Sequence, residues 1–403
     1  MDRYLLISAD GHAGPPADLY RAYLDERYHQ RFDDHQAEQL ALRQAAGYGA
    51  ESFKKEWEAK TGDGGLTGAY DSDVRNEMLD REGVVAEVLF PDADVMGTGR
   101  LASSPFGSGL ASSGDSDPEL VLAGAKAHNR WLADFVAKQP DRRVGVAVVP
   151  IVHDLDAALA EIVAIKELGL GGVMMPTRWM TEPAYHDPRY EPIWSAIEEL
   201  GLVLHTHSGS GPADYEPGPG YMAIYATEAW WWAARPLWVL LWSGVFERHP
   251  DLRYVIAENG AWWLPDLVAK MDEKYLGGHN TKKLGTAFTE NLSMKPSDYI
   301  DRNCFLAAST PGVEDIDRLD LVGVGNMLWG SDFPHPEGTF PHTREIVRRR
   351  FKDVPEADAR RVLGLNAAGL YGLDVDALAP LVERIGPLVS DVHSETPLED
   401  IPA

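Results

Sequence analysis

Aspartate and histidine residues recur in this sequence at the ends of short apolar runs. Asp10 and His12 end the first such run, and Asp332 follows the last. His205 and His207 occupy alternate positions of a run between them, so in a β-strand their side chains would face the same side. Mixed carboxylate and imidazole ligands are typical of Zn²⁺, and of Mn²⁺ or Fe²⁺ where oxygen ligands dominate. The pattern therefore indicates a divalent metal site.

Two more titratable residues accompany this set. Glu258 ends the apolar run VIA, and His335 follows Asp332 in the segment SDFPHP. Each could join the metal shell or act as an acid or base beside it. A histidine in a strand wall or a carboxylate that caps a helix gives the same local pattern, so each residue alone indicates little. Their recurrence at the ends of separate apolar runs favours a shared site.

The elements that would position these residues are short apolar, β-branched runs that alternate with amphipathic stretches. Near-continuous apolar strands are typical of a parallel sheet buried on both faces. Alternation of such strands with helices predicts a (β/α)₈ TIM barrel, in which chemistry lies at the carboxyl ends of the strands. A doubly wound open sheet is the alternative, but no glycine-rich phosphate loop follows the first run. The predicted strands are 4–9, 84–90, 144–149, 172–175, 203–207, 253–257, 304–308 and 327–330.

Two polar segments interrupt the alternation. We expect one barrel domain over 1–373, with insertions at 27–70 and 92–117 after the first and second strands. Because both follow strand ends, they are either lids over the barrel mouth or surface insertions. The tail 374–403 is expected to pack on the barrel or on a partner subunit.

The composition of the 403-residue chain narrows the classes of partner. The chain carries 63 acidic against 37 basic residues, a formal net charge of -26, which argues against binding nucleic acid or an anionic membrane. The single cysteine, Cys304, and the lack of a signal-peptide pattern fit a cytoplasmic protein. The tryptophan-rich segment 230–246 is interrupted by Arg235 and Pro236, which favours a buried or interface helix over a membrane span. We therefore expect a homodimer or larger homo-oligomer that acts on a small molecule.

The sequence resembles the amidohydrolase superfamily, in the branch of amidohydrolase-related proteins that includes aminocarboxymuconate-semialdehyde decarboxylase and the resorcylate-type decarboxylases. This resemblance implies one divalent metal held by Asp10, His12, His207 and Asp332, with His205 as the second choice for the histidine. Zn²⁺ is the expected ion, with Mn²⁺ or Fe²⁺ as alternatives. The resemblance is carried by ISADGH at 7–12, EMLDREGVVAEVLFP at 77–91, HNRWLADFVAKQPDRRVGVAVVP at 128–150, ELGLGGVMMP at 167–176, SGVFERHPDLRYVIAENGAWWLP at 243–265 and MLWGSDFPHPEG at 327–338.

The chain departs from this family at the sixth strand, where many members carry a histidine and this sequence has Glu258. This departure favours a metal-dependent hydrolase of an amide, ester, lactone or C–C bond. The alternative is a non-oxidative decarboxylase of an aromatic or muconate-like acid, and the remote alternative is a barrel that binds a ligand without catalysis. In both enzymes Asp332 or Glu258 would carry the proton.

The remaining site residues have supporting roles in these hypotheses. His205 could stabilise an oxyanion, and His335 could orient Asp332 or meet the substrate. Arg178 follows the fourth predicted strand and could pair with a substrate carboxylate. Trp262, shortly after Glu258, is the candidate apolar contact with the substrate, and core packing is the expected role of at least one of Trp262 and Trp263.

Overall fold

The computed structural model describes residues 2–45, 67–91, 117–177, 182–209, 218–277, 284–335 and 337–395. Within these ranges eight strands form one sheet, and every neighbouring pair in the sheet order is parallel and consecutive in the chain. The predicted barrel architecture is therefore confirmed. The strands are β1 Ile7–His12, β2 Ala86–Phe90, β3 Arg143–Val148, β4 Gly172–Met174, β5 Val203–His207, β6 Arg253–Ala257, β7 Cys304–Ser309 and β8 Met327–Gly330.

Main-chain hydrogen bonds between β1 and the segment after β8 join the two ends of the sheet. The Asp332 N–H donates to the Asp10 carbonyl at 2.8 Å, and the His12 N–H donates to the Phe333 carbonyl at 2.6 Å. Gly11 also forms a parallel bridge with Phe333. These bonds bring residues from opposite ends of the chain to the same edge of the barrel.

The first strand is the element whose bounds differ most from the prediction. The apolar run predicted a strand over 4–9, but β1 begins at Ile7 and ends at His12. Its ladder to β2 continues through Gly11, and His12 pairs with Phe90. Asp10 and His12 are thus strand residues whose buried side chains alternate with Gly11, which is why the hydrophobic pattern ends before the strand does.

Helices lie between each pair of successive strands and after β8. Several begin at a side-chain cap: Asp117 accepts a hydrogen bond from the Glu119 N–H, and Asp154 accepts one from the Ala157 N–H. The helices are α1 Ala17–Tyr23, α2 His29–Ala45, α3 Ser72–Glu82, α4 Pro118–Ala137, α5 Leu155–Glu167, α6 Glu191–Glu199, α7 Tyr221–Trp242, α8 Val245–Arg248, α9 Leu264–Tyr275, α10 Pro296–Asn303, α11 Val313–Asp317, α12 Leu319–Val322, α13 Thr343–Phe351, α14 Glu356–Arg360, α15 Asn366–Tyr371, α16 Val375–Ile385 and α17 Val389–Val392.

Helices α15 and α16 contribute to the buried cluster that fills the barrel interior. A π-helical turn, Arg361–Leu365, leads into α15 and then α16. Leu378 and Val382 of α16 belong to the same buried cluster as the inward-facing Ile7 and Val255. The segment predicted as a tail over 374–403 therefore begins with a helix that packs on the barrel, and residues beyond 395 lie outside the described ranges.

The two predicted insertions are only partly within the described ranges. The segment 27–70 contains α2 and a short 3₁₀ helix, Thr67–Ala69, with 46–66 outside the description. Of 92–117 only Asp117 is described, so the predicted lids stay predictions. Among the helices that the structure describes, none is both long enough and apolar enough to cross a bilayer.

Gly364 offers a test of the packing between the π-helical turn and β1. A Cβ atom at this position would lie 2.1 Å from the Leu5 carbonyl oxygen, a main-chain atom that cannot yield locally. We expect Gly364→Ala to lower the free energy of unfolding by at least about 3 kcal/mol, the upper range for overpacking. Gly369→Ala is the matched control, since nothing lies within 4 Å of its added Cβ. It should be neutral or stabilise by up to about 1 kcal/mol. Equal denaturation midpoints for the two variants would contradict this packing.

Candidate metal centre

His12 presents an unprotonated nitrogen to two carboxylates. Its Nδ1 lies 2.8 Å from the Pro91 carbonyl oxygen. A carbonyl only accepts, so Nδ1 carries the hydrogen, and in the neutral ring Nε2 has a lone pair. Burial is the largest cause that lowers the pKa of His12, followed by the nearby His335, and this favours the neutral ring.

The His12 lone pair is directed at negative charge. Nε2 lies 3.2 Å from Asp332 Oδ1 and 3.5 Å from Asp10 Oδ1, and it has no hydrogen-bond partner although it is fully buried. A lone pair and two carboxylate oxygens that converge in a buried space repel one another unless a cation lies between them. The donor set therefore fits a divalent metal, and we call Asp10, His12, His207 and Asp332 the inner group.

His207 faces the same carboxylate from β5. Its Nε2 lies 3.1 Å from Asp10 Oδ1, and its Nδ1 lies 2.7 Å from the Ser208 carbonyl oxygen and 3.2 Å from Glu258 Oε2. Burial opposes the charged imidazole, but the carboxylates of Asp10 and Glu258 outweigh it and raise the pKa of His207 to about 9. The field that favours a proton on Nε2 equally favours a metal ion there.

The second oxygen of Asp10 is held by Ser309, at the end of β7. The Ser309 hydroxyl donates a hydrogen bond to Asp10 Oδ2, which leaves Oδ1 facing His12 and His207. Sequence reasoning did not find Ser309, because a serine at a strand end is common in every protein class. The contact forms because β7 lies next to β8, the strand that meets β1 where the barrel closes.

Asp332 contacts both His12 and His335. It has a left-handed backbone, with φ 57°. Its Oδ1 lies 2.9 Å from His335 Nδ1, and the His335 ring stacks on the His12 ring with centroids 3.9 Å apart. Burial alone would raise the pKa of Asp332, but the hydrogen bond from His335 and the positive charge of that ring lower it below its usual range. Asp332 is thus held as a carboxylate.

Glu258 lies at the outer edge of the site. Its side chain is 25% exposed. Ligand atoms of Glu258, Asp332, His335 and Glu337 all lie within 4.8 Å of one another, and we call these four residues the outer group. Burial of the carboxyl, and then the Asp332 and Asp10 carboxylates, raise the pKa of Glu258, although His207 opposes this. Glu337 was missed by sequence reasoning, although it stands in the quoted segment SDFPHPEG.

The other predicted site residues are not brought into these groups. His205 lies deeper in the barrel, where Nε2 contacts the Tyr371 hydroxyl at 2.8 Å, and burial lowers its pKa to about 3. Trp262 is 41% exposed and packs against Trp230 with ring centroids 5.3 Å apart. Arg178 lies outside the described residues.

Comparison with known sequences places these observations in a family context. The sequence model of the amidohydrolase family matches residues 100–373, which include His207, Glu258 and Asp332. Gamma-resorcylate decarboxylase of Rhodococcus jostii (strain RHA1) is 27% identical over 64% of this chain and 78% of that protein. The 2-amino-3-carboxymuconate-6-semialdehyde decarboxylase of Dictyostelium discoideum is 24% identical over 76% of this chain and 77% of its own.

A solved structure shares the fold. It is the dihydroxybenzoic acid decarboxylase of Polaromonas sp. JS666, crystallised with manganese and the inhibitor 2-nitroresorcinol. It superposes with a TM-score of 0.61 at 21% identity and covers 91% of this chain and 97% of that chain. The likeness supports the barrel architecture independently of the strand pattern.

The positions of the two β5 histidines predict different effects on bound metal. His207→Ala removes a nitrogen that faces Asp10 Oδ1, whereas His205→Ala removes a contact with Tyr371. We expect the Mn²⁺ affinity of His207→Ala to fall by at least about 100-fold and that of His205→Ala by less than about 10-fold. Metal content after equilibrium dialysis measures both. The reverse order would mean that His205 is the ligand.

Proposed function

Because the chain belongs to the amidohydrolase family, we propose that it is a metal-dependent decarboxylase that removes CO₂ from an aromatic or muconate-like acid. The sequence alone favoured hydrolysis over decarboxylation. The observation that favours decarboxylation is that both curated relatives named above are decarboxylases. The inner group supports the same proposal, because it offers the ligands that a divalent ion needs.

The proposed ligands are Asp10, His12, His207 and Asp332. Mn²⁺ is supported by the manganese in the Polaromonas enzyme, and Zn²⁺ suits the same nitrogen and oxygen donors. A divalent ion bound there would supply a Lewis acid that holds and polarises the carboxylate and a neighbouring oxygen of the substrate.

Glu258 is the proposed proton donor. Its carboxylate lies with Asp332, His335 and Glu337 and approaches His207 only at Nδ1, the nitrogen that does not face Asp10. The raised pKa favours the protonated form at neutral pH. Glu258 donates its proton to the substrate carbon that carries the carboxylate. The bond to the carboxylate carbon then breaks, its electron pair returns to the ring or conjugated chain, and CO₂ leaves. Since the Glu258 side chain is 25% exposed, water can restore its proton.

The remaining residues have assigned or open roles in this proposal. Asp332 stays a carboxylate and serves as a ligand, with His335 orienting it through the 2.9 Å contact. His205 contacts Tyr371, which supports a role in packing rather than in oxyanion stabilisation. Substrate contacts by Arg178 and Trp262, assembly into a homo-oligomer and a cytoplasmic location stay predictions.

Release of CO₂ tests the activity directly. We expect protein loaded with Mn²⁺ to release CO₂ from at least one member of a panel of hydroxybenzoates and unsaturated dicarboxylates, including 2,6-dihydroxybenzoate. Parallel assays with aryl esters, lactones and anilides measure hydrolysis. The double variant Asp10→Ala/His12→Ala is the control, and it should lose both metal and CO₂ release. Hydrolysis without CO₂ release would reverse the proposal in favour of a hydrolase.

Glu258→Gln separates proton donation from metal binding. We expect this variant to keep its bound metal and to lose at least about 100-fold in kcat, the usual contribution of a general acid. Glu337→Gln, the matched control from the outer group, should retain kcat within about 5-fold, because Glu337 is exposed and carries no proton in the proposed step. An equal loss in both variants would contradict the assignment.

The pH profile gives an independent check on Glu258. Only the protonated carboxyl donates, so kcat of the wild-type protein should fall as pH rises through the raised pKa of Glu258. The residual activity of Glu258→Gln should lack this alkaline decline. A decline that persists unchanged in the variant would assign the titration to another group.

A further inference from the structure

A buried ionic cluster lies directly behind the strand that carries Asp10 and His12. Arg75 of α3 forms a bidentate ion pair with Glu87 of β2, with Arg75 Nε 2.8 Å from Oε1 and Nη2 2.7 Å from Oε2. Arg143 of β3 contacts the same carboxylate at 3.3 Å. All three side chains are almost completely buried, and the two arginines hold the pKa of Glu87 below its usual range although burial opposes this.

Stability alone does not account for such a cluster. Removing charges from water costs free energy that the attraction between them only roughly offsets, and apolar replacements of buried ion pairs are often as stable. A buried bidentate arginine does, however, fix the geometry of the groups that it contacts. The contacts of Arg75 outside the ion pair therefore indicate what the cluster positions.

Arg75 contacts the main chain of His12 and the residue that follows Asp332. Its Nη1 donates to the His12 carbonyl oxygen at 2.8 Å and to the Gly68 carbonyl oxygen at 3.0 Å. Its guanidinium lies 4.8 Å from the ring centroid of Phe333, the residue that follows Asp332. One side chain thus touches the main chain of one proposed ligand and the neighbour of another.

Gly11, between Asp10 and His12, lies so close to the ionic cluster that a side chain there would contact it. A Cβ atom on Gly11 would lie 3.3 Å from Arg75 Nη2 and 3.6 Å from Glu87 Oε2. The middle position of the Asp-Gly-His motif therefore faces the ion pair, while the flanking side chains face the metal site.

We propose that Arg75 is a positioning residue of the metal site, which holds the His12 main chain and Phe333 so that the ligand atoms of the inner group converge. This inference rests on the proposed metal-dependent function. It predicts that the geometry of Arg75, and not merely its charge, sets the affinity for metal.

Arg143 provides a matched control within the same cluster. It is buried like Arg75 and shares the Glu87 carboxylate. Its other hydrogen bonds go to Ser72, to Asn76 and to the Phe135 carbonyl oxygen, all on α3 or α4. Arg143 therefore reproduces the charge and burial of Arg75 without its contacts to the ligand segments.

The experiment compares Arg75→Lys with Arg143→Lys in the full chain. Each variant keeps the positive charge and loses the planar donor fork. Mn²⁺ affinity is measured from the electron paramagnetic resonance signal of free Mn²⁺, beside the Tm of the metal-free protein. We expect Arg75→Lys to bind Mn²⁺ at least about 10-fold more weakly, and Arg143→Lys to stay within about 3-fold of the wild-type protein, at comparable losses of Tm.

The outcomes separate this inference from the proposed function. Equal affinity losses in both variants, or no loss in Arg75→Lys, overturn the positioning role while leaving the metal site intact. A wild-type protein that binds no Mn²⁺ or Zn²⁺ overturns the metal site and the positioning role together. Should Arg75→Lys fail to fold, Gly11→Ala keeps every charge and presses on Arg75. Weakened Mn²⁺ binding in that variant supports the inference, and unchanged binding overturns it.

Discussion

The constraint on which this site depends is the convergence of electron-rich atoms that share no hydrogen. His12 Nε2 has no hydrogen-bond partner, and carboxylate oxygens of Asp10 and Asp332 lie 3.5 Å and 3.2 Å from it. Main-chain hydrogen bonds between β1 and the segment after β8 hold these residues together irrespective of the repulsion. The closure of the barrel therefore creates a concentration of negative potential, and a cation is the simplest group that relieves it.

Three residues that follow strands around the inner group share the same backbone conformation. Glu258, Thr310 and Asp332 follow β6, β7 and β8, and each has a left-handed φ that costs a non-glycine residue about 1–3 kcal/mol. In each case the N–H still donates to the next strand in the barrel, at 2.8 to 3.0 Å. The ladder thus extends past the regular strand and stabilises the turn that redirects the chain. Strain of this kind is concentrated where the carboxylates gather.

The sequence could predict the barrel and most of the converging residues, because strand ends marked by aspartate, glutamate and histidine meet at one edge of a parallel barrel. The spacing alone could not choose between the two β5 histidines, which face the same side and differ in depth; the preference for His207 came from the family resemblance. It ended β1 too early, since a strand that carries ligands is polar where a core strand is apolar. The roles of Ser309 and Arg75 could not be predicted from the sequence, because they arise from contacts between distant segments and have no local sequence pattern.

The closure through Ser8 and Ser331 also has a consequence for how the protein is made. Their hydroxyls lie 2.9 Å apart although 323 residues separate them in the chain. During synthesis Asp10 and His12 emerge first, and Asp332 emerges only after all eight strands have been translated. Until then the first strand has no eighth strand to pair with, and the ligand set is incomplete. In the proposed function, metal loading would therefore be a late event in the biogenesis of this barrel, coupled to its final non-local contacts rather than to the folding of any one segment.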